Sequence, residues 1–343
     1  MTQDQIAEDF PLVADPYRRE LLAHCYRMLG SAHDAEDLVQ ETYLRAWRAY
    51  DRFEGRSSLR TWLHKIATTV CLTALEGRQR RPLPSGLGGQ DADAEDALLE
   101  RSEVPWLEPI PDAKVDDQRA DPASVVASRE SMRLALVAAL QHLPPRQRAV
   151  LLLRDVLRWR AAEVAELLSL TTAAVNSLLQ RARVQVEQAA PAEDGLVEPS
   201  APEQRELLDR YVRAFERKDV AALVELFTED AVWEMPPFTG WYRGPENIGR
   251  LIDKRCPAGP GDLRLVPSAA NGQPAFGVYM RGADGTYRPF HLQVLTVSGS
   301  AIAHAAAFFD IGLFETFGLA AEVPGPPEAL PAARGHGRTA EQD

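Results

Sequence analysis

The chain has 343 residues, 45% of them hydrophobic, which is enough length and apolar content for several domains with packed cores. Its net charge of −12 argues against a protein that coats nucleic acid through overall positive charge. The three cysteines lack metal-ligand spacing and suggest no disulfide framework, so a reducing cytoplasm fits. No stretch has the pattern of a signal peptide or the length of a membrane span, so we expect a soluble cytoplasmic protein.

The charge is unevenly distributed along the chain. Residues 45–81 carry nine basic and three acidic side chains, and residues 128–188 carry nine and five. Between them, residues 86–127 carry three basic and eleven acidic side chains. Positive charge is thus confined to two separated places, as expected of a protein that contacts phosphates in two places.

Residues 15–81 have the apolar spacing of helices, and residues 37–47 form the most informative of these segments. Its predicted buried face consists of Leu38, Val39, Thr42, Tyr43 and Ala46. Its predicted outward face consists of Asp37, Gln40, Glu41, Leu44 and Arg45. The simplest interpretation is a solvated helix with a Glu41–Arg45 pair, which is worth only about 0.3–0.5 kcal/mol.

Residues 26–47 and 53–67 resemble region 2 of the sigma-70 family of bacterial transcription initiation factors, and the small extracytoplasmic-function group resembles them best. In that family the helix carrying Asp-Leu-Val-Gln docks on a coiled coil of the largest polymerase subunit. The resemblance therefore implies core RNA polymerase as a partner. The residues that would contact it are Asp37, Leu38, Gln40, Glu41 and Arg45.

A cationic, aromatic segment follows this helix. Unpaired bases need aromatic faces for stacking and positive charge for the backbone, and Tyr50, Phe53 and Trp62 lie among basic residues. The resemblance implies that the loop 53–58 binds a flipped base of the downstream promoter element. The predicted downstream-promoter and melting residues are Phe53, Arg56, Ser57, Trp62, His64, Lys65, Thr69 and Arg78, with Arg80 and Arg81 as further phosphate contacts. The alternative is that Trp62 and Phe53 are ordinary core residues.

From Pro82 the composition changes, and residues 86–127 read as an acidic, flexible linker punctuated by proline. Residues 106–112 within it form an apolar island that is suited to docking. The resemblance implies that the linker threads the basic RNA-exit channel of the polymerase, where its negative charge is favourable.

The second basic block predicts a helix-turn-helix. Its helices are expected at 161–168 and 172–187, with a turn at 169–171. The last helix resembles the recognition helix of sigma region 4, which reads the upstream promoter element. The predicted recognition residues are Thr172, Ala173, Asn176, Ser177, Gln180, Arg181 and Arg183. A purely structural helix pair is the alternative.

Two positions depart from the patterns that the resemblance implies. Thr69 stands where Asn is common in the family, which leaves the preferred downstream bases open. Ser169 stands where many helix-turn-helix turns have Gly, and Ser tolerates a left-handed backbone less well, so we expect slight strain there.

Residues 200–320 predict a further domain in which helices precede a curved antiparallel sheet, and this order resembles the cone-shaped SnoaL-like (NTF2-like) α+β fold. Strands are expected near 262–267, 275–281, 287–298 and 301–309, and Asp219 is expected to cap a helix that runs through Phe227. We expect a ligand pocket lined by Trp233, Trp241, His291, His304 and Asp310. The tail 324–343 is expected to be disordered.

Together these patterns predict a multidomain chain with an all-α N-terminal half and an α+β C-terminal domain. The domains are sigma region 2 at 10–85, the linker at 86–127, region 4 at 128–190 and the SnoaL-like domain at 200–320. The predicted function is a non-enzymatic sigma factor that binds core polymerase and promoter DNA, without a cofactor or metal, and is regulated by its last domain. A C-terminal enzyme and a dimeric repressor are the alternatives; a repressor does not explain the 37–45 helix face.

Overall fold

The structure is a computed structural model, and it describes residues 10–116, 130–189 and 201–324. The end of the linker at 117–127 and the tail from 325 lie outside these ranges. So does Ser200, which the sequence predicts as the start of a capping box with Glu203.

The first helical unit consists of α1 (Arg18–Leu29), α2 (Ala32–Ala49) and α3 (Leu59–Ala74). Gly30 ends α1 with φ +72°, and Ser31 starts α2 by accepting a hydrogen bond from the Asp34 backbone N–H. Ser58 caps α3 in the same way. These caps fix the turns between helices whose apolar faces meet in one core.

A short helix α4 (Asp112–Val115) lies in the linker, and the second helical unit follows. This unit consists of α5 (Leu134–Gln141), α6 (Pro145–Leu151), α7 (Ala161–Leu168) and α8 (Thr172–Ala189). Ser169 ends α7 with φ +54°, as its position in the predicted turn requires. The α8 helix packs against α6 and α7 through Val175, Leu179 and Ala182.

The C-terminal domain begins with α9 (Ala201–Glu216) and α10 (Val220–Val224). Its strands are β1 (Phe227–Glu234), β2 (Trp241–Arg243), β3 (Leu263–Ala270), β4 (Gln273–Arg281), β5 (Tyr287–Ser298) and β6 (Ala301–Phe308). Helix α11 (Pro245–Arg255) lies between β2 and β3, and α12 (Gly312–Thr316) follows β6. The order in the sheet is β2-β1-β6-β5-β4-β3, and the β1–β6 pair is parallel.

The start of this domain differs in detail from the prediction. Asp219 does cap a helix, since its side chain accepts from the Ala222 backbone N–H, but the helix ends at Val224 and Phe227 already lies in β1. The apolar run after Asp219 serves two elements in turn, and periodicity alone does not separate them. The strand β2 was not predicted, because it has only three residues.

The sheet of the C-terminal domain has two buried faces. One face packs with α9 and α11 into the cone core, where Tyr211, Trp233 and Phe276 lie. On the opposite face, Leu292 and Phe308 belong to the same apolar core as both helical units. The C-terminal domain is therefore packed against the helical half along a buried interface.

The prediction of a flexible linker is wrong for its described part. The backbone N–H of Ala92 donates to the Trp241 carbonyl at 2.7 Å, and that of Thr239 donates to the Leu99 carbonyl at 2.9 Å. Leu107 and Ile110, from the predicted apolar island, are fully buried. The acidic composition indicated disorder, but partners more than 100 residues away in the chain satisfy the backbone groups and bury the apolar ones.

Candidate polymerase and nucleic-acid interfaces

The outward face of α2 is solvent-exposed, as its sequence predicts. Asp37, Gln40 and Arg45 are exposed, and Arg45 donates to Glu41 at 2.6 Å. Leu38, which was predicted on both the buried face and the polymerase contact, is half-buried. The polar residues of this face thus lie beside Leu38, an apolar side chain whose exposed part a protein partner can bury.

The same face carries two large apolar side chains that the site prediction did not include. Leu44 is 48% exposed and Trp47 is 41% exposed. Aromatic side chains that remain exposed beside polar ones are typical of the centres of protein interfaces. Their helical spacing from Gln40 was the available signal, and it was overlooked because the acidic residues dominated the pattern.

Three aromatic rings form a cluster between α2 and α3. The ring centroids of Phe53 and Trp62 are 4.9 Å apart, and Tyr50 stacks on Phe53 at 6.3 Å. Phe53 and Trp62 are both half-buried, so they contribute to the fold and still present part of their surface. Arg56 is exposed and Ser57 half-buried in the adjoining loop, which leaves the predicted base-binding surface open to solvent.

His64 is the one predicted melting residue that the structure buries, and the prediction is wrong for it. Its side chain is 1% exposed, its Nδ1 lies 2.9 Å from the Arg60 carbonyl oxygen, and its ring faces His24 at 5.5 Å. Desolvation lowers the pKa of His64 to about 4, so the ring is neutral at pH 7. It points inward because position 64 lies on the same side of α3 as Ala67 and Cys71.

Several of the basic residues that were predicted to contact DNA are paired within the chain. Arg78 donates to Asp34 at 2.8 Å, and Lys65 lies 3.2 Å from Glu166 of the second helical unit. Arg81 donates to Asp34 at 2.8 Å and to the Trp106 carbonyl oxygen of the linker at 3.1 Å. The linker and the second unit thus occupy side chains that were predicted to contact DNA; Thr69 remains exposed.

The predicted recognition surface of α8 is free. Its exposed residues are Thr172, Ala173, Asn176, Ser177, Gln180, Arg181 and Arg183. Arg183 is anchored by a bidentate pair with Asp155, at 2.9 and 2.7 Å. Short polar side chains at the centre and arginines at the edge suit a helix in the major groove.

The two helical units are in direct contact. Helix α6 packs against α1 and α3, and the buried Arg148 guanidinium donates across this boundary to the Met28 carbonyl oxygen. The same guanidinium donates to the Gln141 side chain at 2.7 Å. Burial lowers the pKa of Arg148 to about 10, which leaves it charged at pH 7. The units therefore form one body in this structure.

The predicted pocket residues of the C-terminal domain separate into different places. Trp233 and His291 are buried on the cone side of the sheet, whereas His304 lies on the opposite side and bonds to Glu234 at 2.9 Å. Trp241 is at the edge strand, where Arg243 lies 5.2 Å from its ring. Asp310 is exposed after β6. A single pocket lined by all five residues is therefore ruled out, because neighbouring strand positions point to opposite faces.

The cone side retains buried polar atoms that have no hydrogen-bonding partner among the described residues. They are the Nε1 of Trp233, the Nε2 of Gln293 and both ring nitrogens of His291. Desolvation lowers the pKa of His291 to about 3, so this ring is neutral. The described residues contain no group of His, Cys, Asp or Glu side chains that could hold a metal ion.

Family models match three parts of the chain. Sigma-70 region 2 matches residues 13–81, sigma-70 region 4 matches residues 133–186, and the SnoaL-like domain matches residues 208–304. The ECF RNA polymerase sigma factor SigG of Mycobacterium tuberculosis is 60% identical over 318 residues, which cover 92% of this chain and 85% of that protein. The chain belongs to the ECF RNA polymerase sigma factors.

Other relatives agree with this assignment. SigJ of Mycobacterium tuberculosis is 29% identical over 283 residues, covering 78% of this chain and 80% of SigJ. The crystal structure of SigJ aligns with a TM-score of 0.56 at 24% identity and covers 88% of this chain and 97% of that chain. The predicted fold class, an all-α half followed by a SnoaL-like α+β domain, is confirmed, although the sheet is mixed and not wholly antiparallel, because β1 and β6 pair in parallel.

As an ECF sigma factor, the protein partners with core RNA polymerase and promoter DNA and directs transcription initiation. Within the described residues, no helix has both the length and the apolar character that crossing a membrane would take.

Proposed function

We propose that this sigma factor restrains itself. Its linker and C-terminal domain hold region 2 and region 4 in a closed arrangement, and initiation at a promoter requires this arrangement to open. Because its partners are the polymerase and DNA, we expect it to act in the cytoplasm.

The observation that carries this proposal is the packing of region 4 against region 2. The two promoter elements are separated by roughly 20 base pairs, or about 70 Å at about 3.4 Å per base pair. A helical domain of about 70 residues has a radius of gyration of only about 11 Å. Two such domains in contact do not span that distance, so α8 and the aromatic cluster cannot occupy both elements at once in the closed arrangement.

The linker supports the same proposal. It engages Arg81 through the Trp106 carbonyl and through Glu108, whose Oε1 lies 3.3 Å from the guanidinium. Arg80 donates to the Gly86 carbonyl oxygen at 2.8 Å. DNA phosphates would compete with these acceptors for the same donors. Opening of the closed arrangement would release these arginines, which are suited to binding the phosphates of duplex DNA.

We assign the working surfaces as follows. The α2 face with Asp37, Gln40 and Glu41 binds the polymerase, extended by Leu44 and Trp47. The aromatic cluster stacks on unpaired bases of the downstream element. The exposed face of α8 reads the upstream element.

A crosslink tests the closed state. Lys65→Cys and Glu166→Cys, in a Cys256→Ser background, would be joined by a short bis-maleimide in the full chain. We expect run-off transcription with core polymerase to fall by about tenfold or more, the equivalent of about 1.4 kcal/mol. The matched controls are the uncrosslinked double variant and each single variant treated with the reagent. Equal transcription by crosslinked and uncrosslinked protein would exclude the proposal.

The C-terminal domain is proposed to act without catalysis. Two polar side chains of the predicted pocket that could act as acid and base do not converge: His304 bonds to Glu234, and the exposed Asp310 accepts from the Gly312 backbone N–H at 2.9 Å. Catalysis by this pair would need both groups at one reacting centre. We expect Asp310→Ala to leave run-off transcription unchanged. A fall in run-off transcription by this variant would argue for a chemical role of the domain.

The unpartnered groups of the cone favour a second role, the binding of a small and mainly apolar ligand. Trp233 and Gln293 offer N–H donors, and neutral His291 offers one donor and one acceptor. Native mass spectrometry of the full chain, isolated from a cell extract, tests this role. An adduct that is lost on His291→Leu supports it, and an unliganded mass in every preparation contradicts it.

A further inference from the structure

We propose that the tip of the β3–β4 hairpin, residues 270–273, is the latch that keeps this sigma factor closed, and that Asn271 is its central residue. The latch rests on the proposed self-restraint and gives it a specific location. The tip is inserted where region 2, the linker and the start of region 4 meet.

Asn271 bonds to all three of these parts at once. Its Nδ2 donates to the Tyr26 hydroxyl in region 2 and to the Met132 carbonyl at the start of region 4, both at 2.8 Å. Its Oδ1 accepts from the Ile110 backbone N–H in the linker at 3.0 Å, and its own N–H donates to the Ile110 carbonyl at 3.1 Å. The residue is 0% exposed. Each bonding group of its amide thus has a partner outside its own domain.

The two residues that follow extend the same junction. The Gly272 backbone N–H donates to Asp112 of the linker at 2.7 Å. The Gln273 Oε1 accepts at 2.9 Å from the backbone N–H of Leu134, the first residue of α5. Gln273 in turn donates to Thr296 of β5 at 2.7 Å, so the tip is also anchored to its own sheet.

The partner groups depend on the tip for their hydrogen bonds. The Tyr26 hydroxyl donates to the Glu108 carbonyl at 2.8 Å, and a lone pair of its oxygen accepts from Asn271. Withdrawal of the tip would break the bonds of Asn271, Gly272 and Gln273 to the other parts of the chain in one step, and buried polar groups without partners are costly. The hairpin tip therefore has two alternative positions, inserted into the junction or withdrawn from it.

The backbone at the tip explains why an asparagine suits this position. Asn271 has φ +58°, and asparagine is one of the few residues besides glycine that accept the left-handed region readily. Asn271 followed by Gly272 is also a strong hairpin-turn pair. The turn therefore needs Asn or Gly, whereas only Asn supplies the contacts to the other parts.

Asn271→Gly is consequently the sharpest variant, because it keeps the turn and removes the amide. Dyes at Glu76→Cys in region 2 and Glu187→Cys in region 4, both exposed positions, would report the distance between the regions by single-molecule energy transfer. The full chain carries Cys256→Ser to limit labelling to these sites. We expect the ratio of open to closed molecules to rise by about tenfold or more per bond left unsatisfied.

Lys218→Gly is the matched control. Lys218 also has φ +51° and lies in the same domain, but its Nζ bonds to the Cys256 carbonyl, away from the junction. We expect this variant to keep the closed distance. Asn271→Asp is the second variant, because it keeps the shape of the side chain and sets a carboxylate oxygen against the Met132 carbonyl.

The outcomes separate the latch from the proposed function. Open molecules in both Asn271 variants, with circular dichroism unchanged, support the latch. If their run-off transcription stays at the wild-type level, the latch stands and self-restraint fails. An unchanged distance distribution in a folded Asn271→Gly or Asn271→Asp protein overturns the latch, whatever the crosslinking experiment gives.

Discussion

At the scale of single residues, His24 of α1 and His64 of α3 form a buried pair inside region 2, with ring centroids 5.5 Å apart. His64 was assigned to the DNA surface because it stands among basic residues, but the helical period turns it toward His24 and Thr68. The His24 Nε2 lies 3.0 Å from the Thr68 hydroxyl, and burial lowers the pKa of His24 as well. A buried histidine at such a position contributes to packing and makes the stability of region 2 depend on pH.

Region 2 is expected to lose stability in mild acid. The folded pKa of His64 is about 4 against about 6.5 in the unfolded chain, so the unfolded state binds more protons between these values. Stability therefore falls as pH drops through this window, by about 1.4 kcal/mol per pH unit for one histidine. Hydrogen exchange of α3 amides at pH 7 and pH 5 measures this loss.

The variant His64→Gln should reduce this dependence by about one proton, leaving that of His24. An identical slope in His64→Gln and wild type would contradict the assignment.

Phe53 belongs to the same scale. Its ring lies against Trp62 and Tyr50 but is only half-buried, so Phe53→Ala should remove a stacking surface for an unpaired base. We expect the open promoter complex to lose about 1–3 kcal/mol, the value of one base stack. Permanganate reactivity of unpaired thymines measures opening. Phe53→Tyr keeps the aromatic face and should open normally; equal loss in both variants would indicate a structural role.

At the scale of elements, helices were predicted from period and caps, and most strands from alternation. The turn before α8 was also foreseen, and Ser169 adopts the left-handed backbone that its place demands. The three-residue strand β2 was missed, because its pairing with β1 is set by the sheet and not by its own sequence. The packing of helices across domains could not be predicted from the sequence, since Arg148 and Gln141 gave no periodic signal.

The α8 helix should separate sequence reading from phosphate binding. Asn176→Ala, at the centre of the exposed face, should cost about 1–3 kcal/mol of discrimination at one base of the upstream element. Arg181→Ala, at its edge, should weaken all sequences about equally and reduce the salt dependence by about one phosphate. Binding of holoenzyme to a set of single-base promoter variants at two salt concentrations distinguishes them. The reverse assignment of effects would show that α8 lies differently in the groove.

At the scale of the whole molecule, the linker was the main error. Its acidic composition, punctuated by proline, predicted a free tether, yet Glu108 accepts from the Ser31 hydroxyl at 2.7 Å, and the Ala94 backbone N–H donates to Asn247 at 3.2 Å. Composition describes what a segment can do alone, and these partners come from both ends of the chain. The packing of the C-terminal domain on the helical half depends on the same long-range contacts and could not be foreseen.

The central claim is that this sigma factor is closed when free and opens on its promoter. The labelled pair at positions 76 and 187 tests it most directly, in the free chain and in the complex with core polymerase and promoter DNA. We predict a single short distance in the free protein and an increase toward roughly 70 Å in the complex, the spacing of about 20 base pairs. The same distance in both states would contradict the account.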